Sequence, residues 1–440
     1  MYMPSKSLAG RAVALVGVGA LAVGLSACGG TSENGDKGAT GSGPVSITYL
    51  HRLPDGEGMT PVKDIVATWN AAHPDIQVTA TKFDGKAADM DLKLEQDIKA
   101  GTGPCLAQIG YGDIPDMYVK GLVQDVTAEA QKYADHFSAG AFGMMKVGDK
   151  VVGLPQDTGP LVYFYDEAAF TKLGLTVPAT MDDLAADAKK AAAAGKFVAA
   201  FTPDEAQNWL SGQAAAAGDT WFGAQDDKWK VTADGAGSQK VAALWQGLLD
   251  GKQVFVGERW GDAFTKALTD GSLIGHVGAA WEAGFLLDPL NDTPREGTWR
   301  VATLPRFGDT DMTGPDGGSG VAVMKGCTYP AQAMEFNDWF NTQVDDLTSQ
   351  GLVVAAKGTP TTPEKMKKQF GGQDVLGVLA KANDTLNPDF PYMPGWASEA
   401  KMNEVAAAAA SGKAKVADIF TTAQSTAVKT LQDLGLPVAD

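Results

Sequence analysis

The chain has 440 residues, 44% hydrophobic and 20% charged, which is too long for one core, since single hydrophobic cores stop growing at roughly 250–300 residues. A formal charge of −17 at pH 7 argues against nucleic acid and anionic lipid as partners, because a body of that sign repels phosphate. The 53 glycines and 22 prolines predict many turns without low-complexity composition.

At the amino terminus Lys6 and Arg11 flank the start of an apolar stretch, Ala12 to Leu25, that ends in Leu25-Ser26-Ala27-Cys28-Gly29. The stretch is shorter than the roughly 20 residues of a membrane span. Small residues before a thiol resemble a bacterial lipoprotein signal, with residues 1–27 as signal peptide and a lipid on Cys28. The expected location is the outer face of the cytoplasmic membrane. Residues 28–43, rich in Gly, Ser and Thr, then read as a flexible tether. No other stretch approaches membrane-spanning length.

Val45 to Leu50 opens the folded body as a strand. Val62, Ile65, Val66 and Trp69 recur at i, i+3, i+4, i+7, one buried helical stripe. Ile76, Val78 and Ala80 alternate as a strand, Met90, Leu94 and Ile98 mark a second helix, and Cys105 to Ile109 a third strand. This β-α-β-α-β order predicts a parallel sheet with right-handed crossovers. Ligands of such sheets lie beyond the carboxyl ends of the strands, which gathers His51 to Asp55, Phe83-Asp84, Tyr111 to Asp113 and Gln156-Asp157 on one rim.

Val151 to Leu175 reads as a short strand, a polar turn from Pro155 to Pro160, a second strand from Leu161 to Tyr165 and a short helix, a place where the chain leaves one lobe for another. Gln156, Asp157 and Thr158 are expected to line a cleft there. Further on, Thr180 and Thr202-Pro203 look like helix starts, with a strand from Lys196 to Phe201 between them. Val241, Leu244, Trp245 and Leu248 form a helical stripe. Ser272 to Ala280 is a small-residue strand delivering Trp281 and Glu282, and Trp299 to Leu304 is another strand. The Gly-rich segment Asp309 to Gly320 reads as a solvated turn leading into a strand from Val321 to Met324. Helix signals dominate the rest, interrupted from Asn387 to Trp396, where prolines forbid helix.

Cys28 is assigned to the lipid, which leaves Cys105 and Cys327. In an oxidising compartment they pair; the alternative is two buried thiols.

Several segments together resemble the extracellular solute-binding proteins of ABC importers, in the carbohydrate-binding branch that includes maltose-binding protein. They are Gly103-Pro104-x-Leu106 with Gly110-Tyr111-Gly112; Gly153-Leu154-Pro155 with Tyr163-x-Tyr165-Asp166, Phe170 and Gly174; Gly278-Ala279-Ala280-Trp281-Glu282; Gly317-Gly318-Ser319-Gly320; and Phe336-x-x-Trp339-Phe340. The resemblance implies a two-lobed α/β fold with hinge strands and an interlobe cleft. It implies one lobe from residues 44–157 and 318–357 and a second from 158–317 and 358–440. It also implies that the strand Val321 to Met324 lies antiparallel beside Cys105 to Ile109, which brings Cys327 near Cys105, although family members often carry Asp and a small polar residue at those positions.

Sugars present flat C–H faces, bound by aromatic planes, and hydroxyls, bound by carboxylates and amides. Trp281 and Trp396 are the expected stacking platforms, and Tyr111, Tyr392, Trp209 and Trp221 are further aromatic candidates. Asp84, Asp113, Asp157, Asn208, Glu282 and His51 are polar candidates; the bland reading of such carboxylates is a turn or helix cap. Trp69, Trp245 and Trp339 sit on apolar stripes and are expected in the core. The sequence has no G-x-S-x-G elbow, no histidine pair at zinc-ligand spacing and no complete calcium loop. Neither a metal nor a cofactor is expected.

The expected function is capture of a sugar, foremost an oligosaccharide, by a monomeric lipoprotein that delivers it to the permease subunits of an ABC transporter. The competing readings are a lipid-anchored carbohydrate-active enzyme and a binding protein for a non-sugar solute.

Overall fold

The computed structural model describes residues 44–56 and 58–439; the expected signal peptide, Cys28 and the tether lie outside them. Seven strands form the main sheet: β1 (Val45–His51), β2 (Ile76–Lys82), β3 (Leu106–Gly110), β4 (Gly153–Asp166), β5 (Gly275–Ala279), β6 (Trp299–Thr303) and β7 (Pro315–Val323). Their order is β5-β4-β7-β3-β1-β2, with β6 also paired to β4.

β1 pairs in parallel with both β2 and β3, as the β-α-β-α-β pattern predicts. The helix Val62–Ala72 buries Val62, Ile65, Val66 and Trp69 against the sheet, and the Trp69 indole N–H donates to the Ile76 carbonyl at 2.9 Å. β7 runs antiparallel to β3, with Val323 opposite Leu106. Cys105 and Cys327 flank that pairing and are joined in a disulfide, their Cα atoms 4.5 Å apart.

β4 corrects the reading of Val151 to Leu175. Pro155 to Pro160 is no turn; it is the middle of one 14-residue strand. Its first half pairs with β7 through two register shifts, and its second half pairs with β5 and with β6. Gln156 is skipped by the β7 ladder at one shift, and its carbonyl instead accepts from the Ala355 N–H at 2.9 Å. The shifts accommodate prolines that a regular ladder would reject. Because the strand is buried, Gln156 and Thr158 turn inward, at 0% and 1% exposure; Gln156 Nε2 donates to Tyr49 Oη and to Asn341 Oδ1 at 3.1 and 3.0 Å. Of the three residues expected at a cleft, Asp157 alone lines the cavity described below.

The Gly-rich segment is corrected likewise. β7 starts at Pro315 and includes Gly317 and Gly318 at φ 79° and 99°. Glycine is required at Gly318, where a Cβ would stand 2.8 Å from the Tyr111 ring. The strand expected from Lys196 to Phe201 shrinks to Ala200–Phe201, paired with Phe255–Val256. Among the described residues no helix is long and apolar enough to cross a membrane.

Candidate functional site

A cavity of about 550 Å³ opens where several strand ends and short helices converge. The loop after β1 supplies Arg52, β3 supplies Gln108, and the 3-10 turn Tyr111–Asp113 directly after β3 supplies Tyr111 and Asp113. Asp157 and Ser319 come from the facing strands β4 and β7. Trp281 sits in the 3-10 helix Ala280–Gly284 that follows β5, and Phe285 comes next. Tyr392 precedes a second 3-10 helix, Trp396–Ala400, and Asn208 and Gln207 stand on the helix Ala206–Ala216.

The polar floor is pre-organised. The Arg52 backbone N–H donates to Gln108 Oε1 at 2.8 Å, Gln108 Nε2 donates to Ser319 Oγ at 3.0 Å, and Ser319 Oγ in turn donates to Asp157 Oδ1. Tyr111 Oη donates to the Asp157 carbonyl at 2.8 Å. A chain of fixed donors and acceptors can meet the polar groups of a ligand without reorganising first.

Carboxyl groups in the cavity are held partly neutral. Burial, then the neighbouring charge of Asp113, pushes Asp91 up to about 8, against the pull of Arg52. Burial raises Asp113 to about 6, with Asp116 adding to the rise and Arg52 opposing it. Each of the two therefore favours its protonated form in the fold more than a free carboxyl does. Burial likewise lifts Asp157 to about 6, partly offset by its bonds to Ser319.

Two tryptophans form the aromatic walls, each fixed from behind. Trp281 Nε1 donates to the Asp316 carbonyl at 2.8 Å, and the guanidinium of Arg259 lies 5.0 Å from the indole centroid, a cation–π contact. Arg259 is itself clamped by Glu205, Glu282 and Asp316 at 2.5, 2.7 and 3.2 Å. Burial pushes Glu282 up, but Arg259 and His276 outweigh it and leave its carboxyl below the usual range. Trp396 Nε1 donates to Asn208 Oδ1 at 3.2 Å, and its ring meets Tyr392 edge-on at 5.1 Å.

The structure therefore brings together Trp281, Trp396, Tyr392, Tyr111, Asp113, Asp157 and Asn208. It places the other candidates elsewhere. Trp209 and Trp221 are fully buried and spend their indole N–H groups on the Val277 carbonyl and Ser238 Oγ. Glu282 is buried behind Trp281 in the Arg259 cluster. His51 points inward, its Nδ1 accepting from the Leu53 N–H at 3.2 Å. Asp84 is exposed and pairs with Lys82.

Sequence reasoning missed Arg52, Asp91, Gln108, Gln207, Ser319, Gln350 and Phe285, all of which line the cavity. Arg52 and Ser319 lay within stretches already singled out. Gln108, a polar residue inside an otherwise apolar strand, was the available signal. A larger groove of about 790 Å³ lies between the helices Met181–Ala193 and Ala236–Asp250, but no tryptophan or tyrosine lines it. Among the described residues no group of three or more His, Cys, Asp or Glu is arranged to hold a metal ion.

A family model described as bacterial extracellular solute-binding protein matches residues 64–347. The galacto-N-biose-/lacto-N-biose I-binding protein of the ABC transporter from Bifidobacterium longum, solved in complex with lacto-N-biose, is 52% identical. The match covers 92% of this chain and 100% of that one, with a TM-score of 0.86. An ABC transporter associated binding protein from B. animalis subsp. lactis Bl-04, in complex with beta-1,6-galactobiose, is 23% identical over 90% of this chain and 100% of that one, TM-score 0.72. A cyclic alpha-maltosyl-1,6-maltose binding protein from Arthrobacter globiformis is 19% identical over 89% of this chain and 100% of that one, TM-score 0.71. The last two likenesses establish a common two-lobed fold. A search of curated protein sequences finds no significant match.

Proposed function

The chain belongs to the bacterial extracellular solute-binding proteins, and from that premise we propose that it is the receptor of an ABC importer for a short galactose-containing oligosaccharide, foremost a disaccharide of the lacto-N-biose and galacto-N-biose class. The observation that carries this reading is the pairing of Trp281 and Trp396 on one cavity with the Gln108–Ser319–Asp157 line. Indole planes take the C–H faces of the sugar rings, and the amides and carboxyls take their hydroxyls. The relative that is 52% identical narrows the sugar class.

Residues 44–157 and 318–357 form one lobe and residues 158–317 and 358–440 the other in this reading, with β4 and β7 as hinge strands. A ligand that contacts both lobes favours their closed arrangement through its differential affinity, and closure is the signal to the permease subunits. The protein acts as a monomer without turning its ligand over, held to the outer face of the cytoplasmic membrane by a lipid on Cys28. Cys28→Ala is expected to release it into the soluble fraction.

The test is a calorimetric panel of mono-, di- and tetrasaccharides with analysis of the recovered sugar. Micromolar or tighter binding of lacto-N-biose, recovered intact, supports the reading. Binding to no sugar, or cleavage of any, overturns it.

A further inference from the structure

Trp260 adopts φ 66°, the left-handed region that bulky side chains avoid. Strain of that kind persists only where the surroundings impose it. Here the preceding residue imposes it: Arg259 is buried at 5% exposure in its carboxylate clamp, and its backbone N–H donates to Asp204 Oδ1 at 3.1 Å. The following Gly261 closes the turn onto the Glu258 carbonyl at 3.1 Å and starts the helix Asp262–Asp270. With both neighbours fixed, the Trp260 indole is delivered to the surface at 39% exposure.

It is not isolated there. The Trp260 ring lies 5.2 Å from the ring of Phe285, itself 38% exposed, and Phe285 lies 5.8 Å from Trp281. Among the described residues no other two exposed aromatic rings touch. Trp281 and Phe285 line the cavity, so the three rings form one ledge from its wall out to solvent. The dipeptide Arg259-Trp260 serves both ends, since Arg259 backs Trp281 while Trp260 extends the ledge.

We infer that Trp260 and Phe285 form an outer carbohydrate subsite that takes the sugar rings of a longer glycan protruding from the cavity. This rests on the proposed sugar-binding function and adds a determinant of ligand length. A continuous apolar ledge suits the C–H faces of successive rings, and continuity with the cavity selects carbohydrate over a protein partner.

Calorimetry on the purified chain tests this with lacto-N-biose and with a tetrasaccharide that carries the same disaccharide at one end. Trp260→Ala is expected to weaken the tetrasaccharide by about three- to tenfold while leaving the disaccharide within about twofold, the share one stacked aromatic supplies. Trp260→Phe is expected to keep most of the tetrasaccharide affinity. Trp260→Gly, which relieves the backbone strain that Trp260→Ala keeps, is expected to give a higher Tm than Trp260→Ala while losing the same affinity. Equal effects of Trp260→Ala on both sugars, no effect on either, or a wild-type protein that binds the disaccharide alone overturns the outer subsite and leaves the proposed function standing. A wild-type protein that binds neither sugar overturns the proposed function itself.

Discussion

Gly112 lies flat against the edge of Trp396: a Cβ built on it would stand 2.4 Å from the indole Cδ1. The backbone directly after β3 thus sets the position of an aromatic wall that belongs to a segment nearly 300 residues away. Gly112→Ala is expected to push the indole into the cavity, an overpacking cost of about 1–3 kcal/mol. Sugar affinity measured by calorimetry should fall about ten- to a hundredfold, and an unchanged Kd would refute the role given to Trp396.

Trp281→Ala and Trp396→Ala are each expected to lower sugar affinity by at least about tenfold, since each removes a whole stacking surface. Trp209 provides the contrast. Trp209→Phe strands the Val277 carbonyl that its indole N–H now satisfies, and should cost about 1–3 kcal/mol of stability. Denaturant titration should register that loss while calorimetry on the folded protein gives an unaltered Kd.

The Asp91–Asp113 pair ties stability to pH. Both carboxyls are raised in the fold, to about 8 and about 6, so the protonated form is the one the fold favours. Their contribution is fully present below the ordinary carboxylate range, near about 4, and is lost as pH rises through 6 to 8. Tm is therefore expected to decline from pH 5 to pH 9, and Asp91→Asn should flatten that decline. Parallel profiles of wild type and variant would disprove the assignment.

Reduction of Cys105–Cys327 opens a cross-link between residues 222 apart in sequence and should cost about 2–5 kcal/mol. The urea midpoint of the reduced protein is expected to drop, with Cys327→Ser reproducing the shift. Intact mass before and after reduction checks that two hydrogens are taken up.

The fold was legible wherever one side-chain period dominated. The stripe of Val62, Ile65, Val66 and Trp69, the alternation of β2 and the small-residue strand before Trp281 all follow from which faces must be buried. The middle of β4 was not, because Pro-Gln-Asp-Thr-Gly-Pro carries the composition of a turn; its extended form is imposed by partners such as Tyr49, Asn341 and Val353, far away in sequence. The site divides the same way. Trp281 and Trp396 were visible as aromatics delivered by loops, whereas Trp209 and Trp221 differ from them only in what packs around them. Asp91 and Gln350 reach the cavity through tertiary geometry that no local pattern encodes.

The pairing of β7 with β3 has a consequence for how the chain comes to be folded. The central ladder of the main sheet joins residues 106–110 to residues 319–323, so it cannot form until most of the polypeptide has been synthesised. Contacts this distant in sequence make folding slow, because the chain must close a long loop before the ladder rewards it. For a member of an extracellular family, the two halves of the main sheet therefore stay unjoined until the segment that closes this ladder has followed.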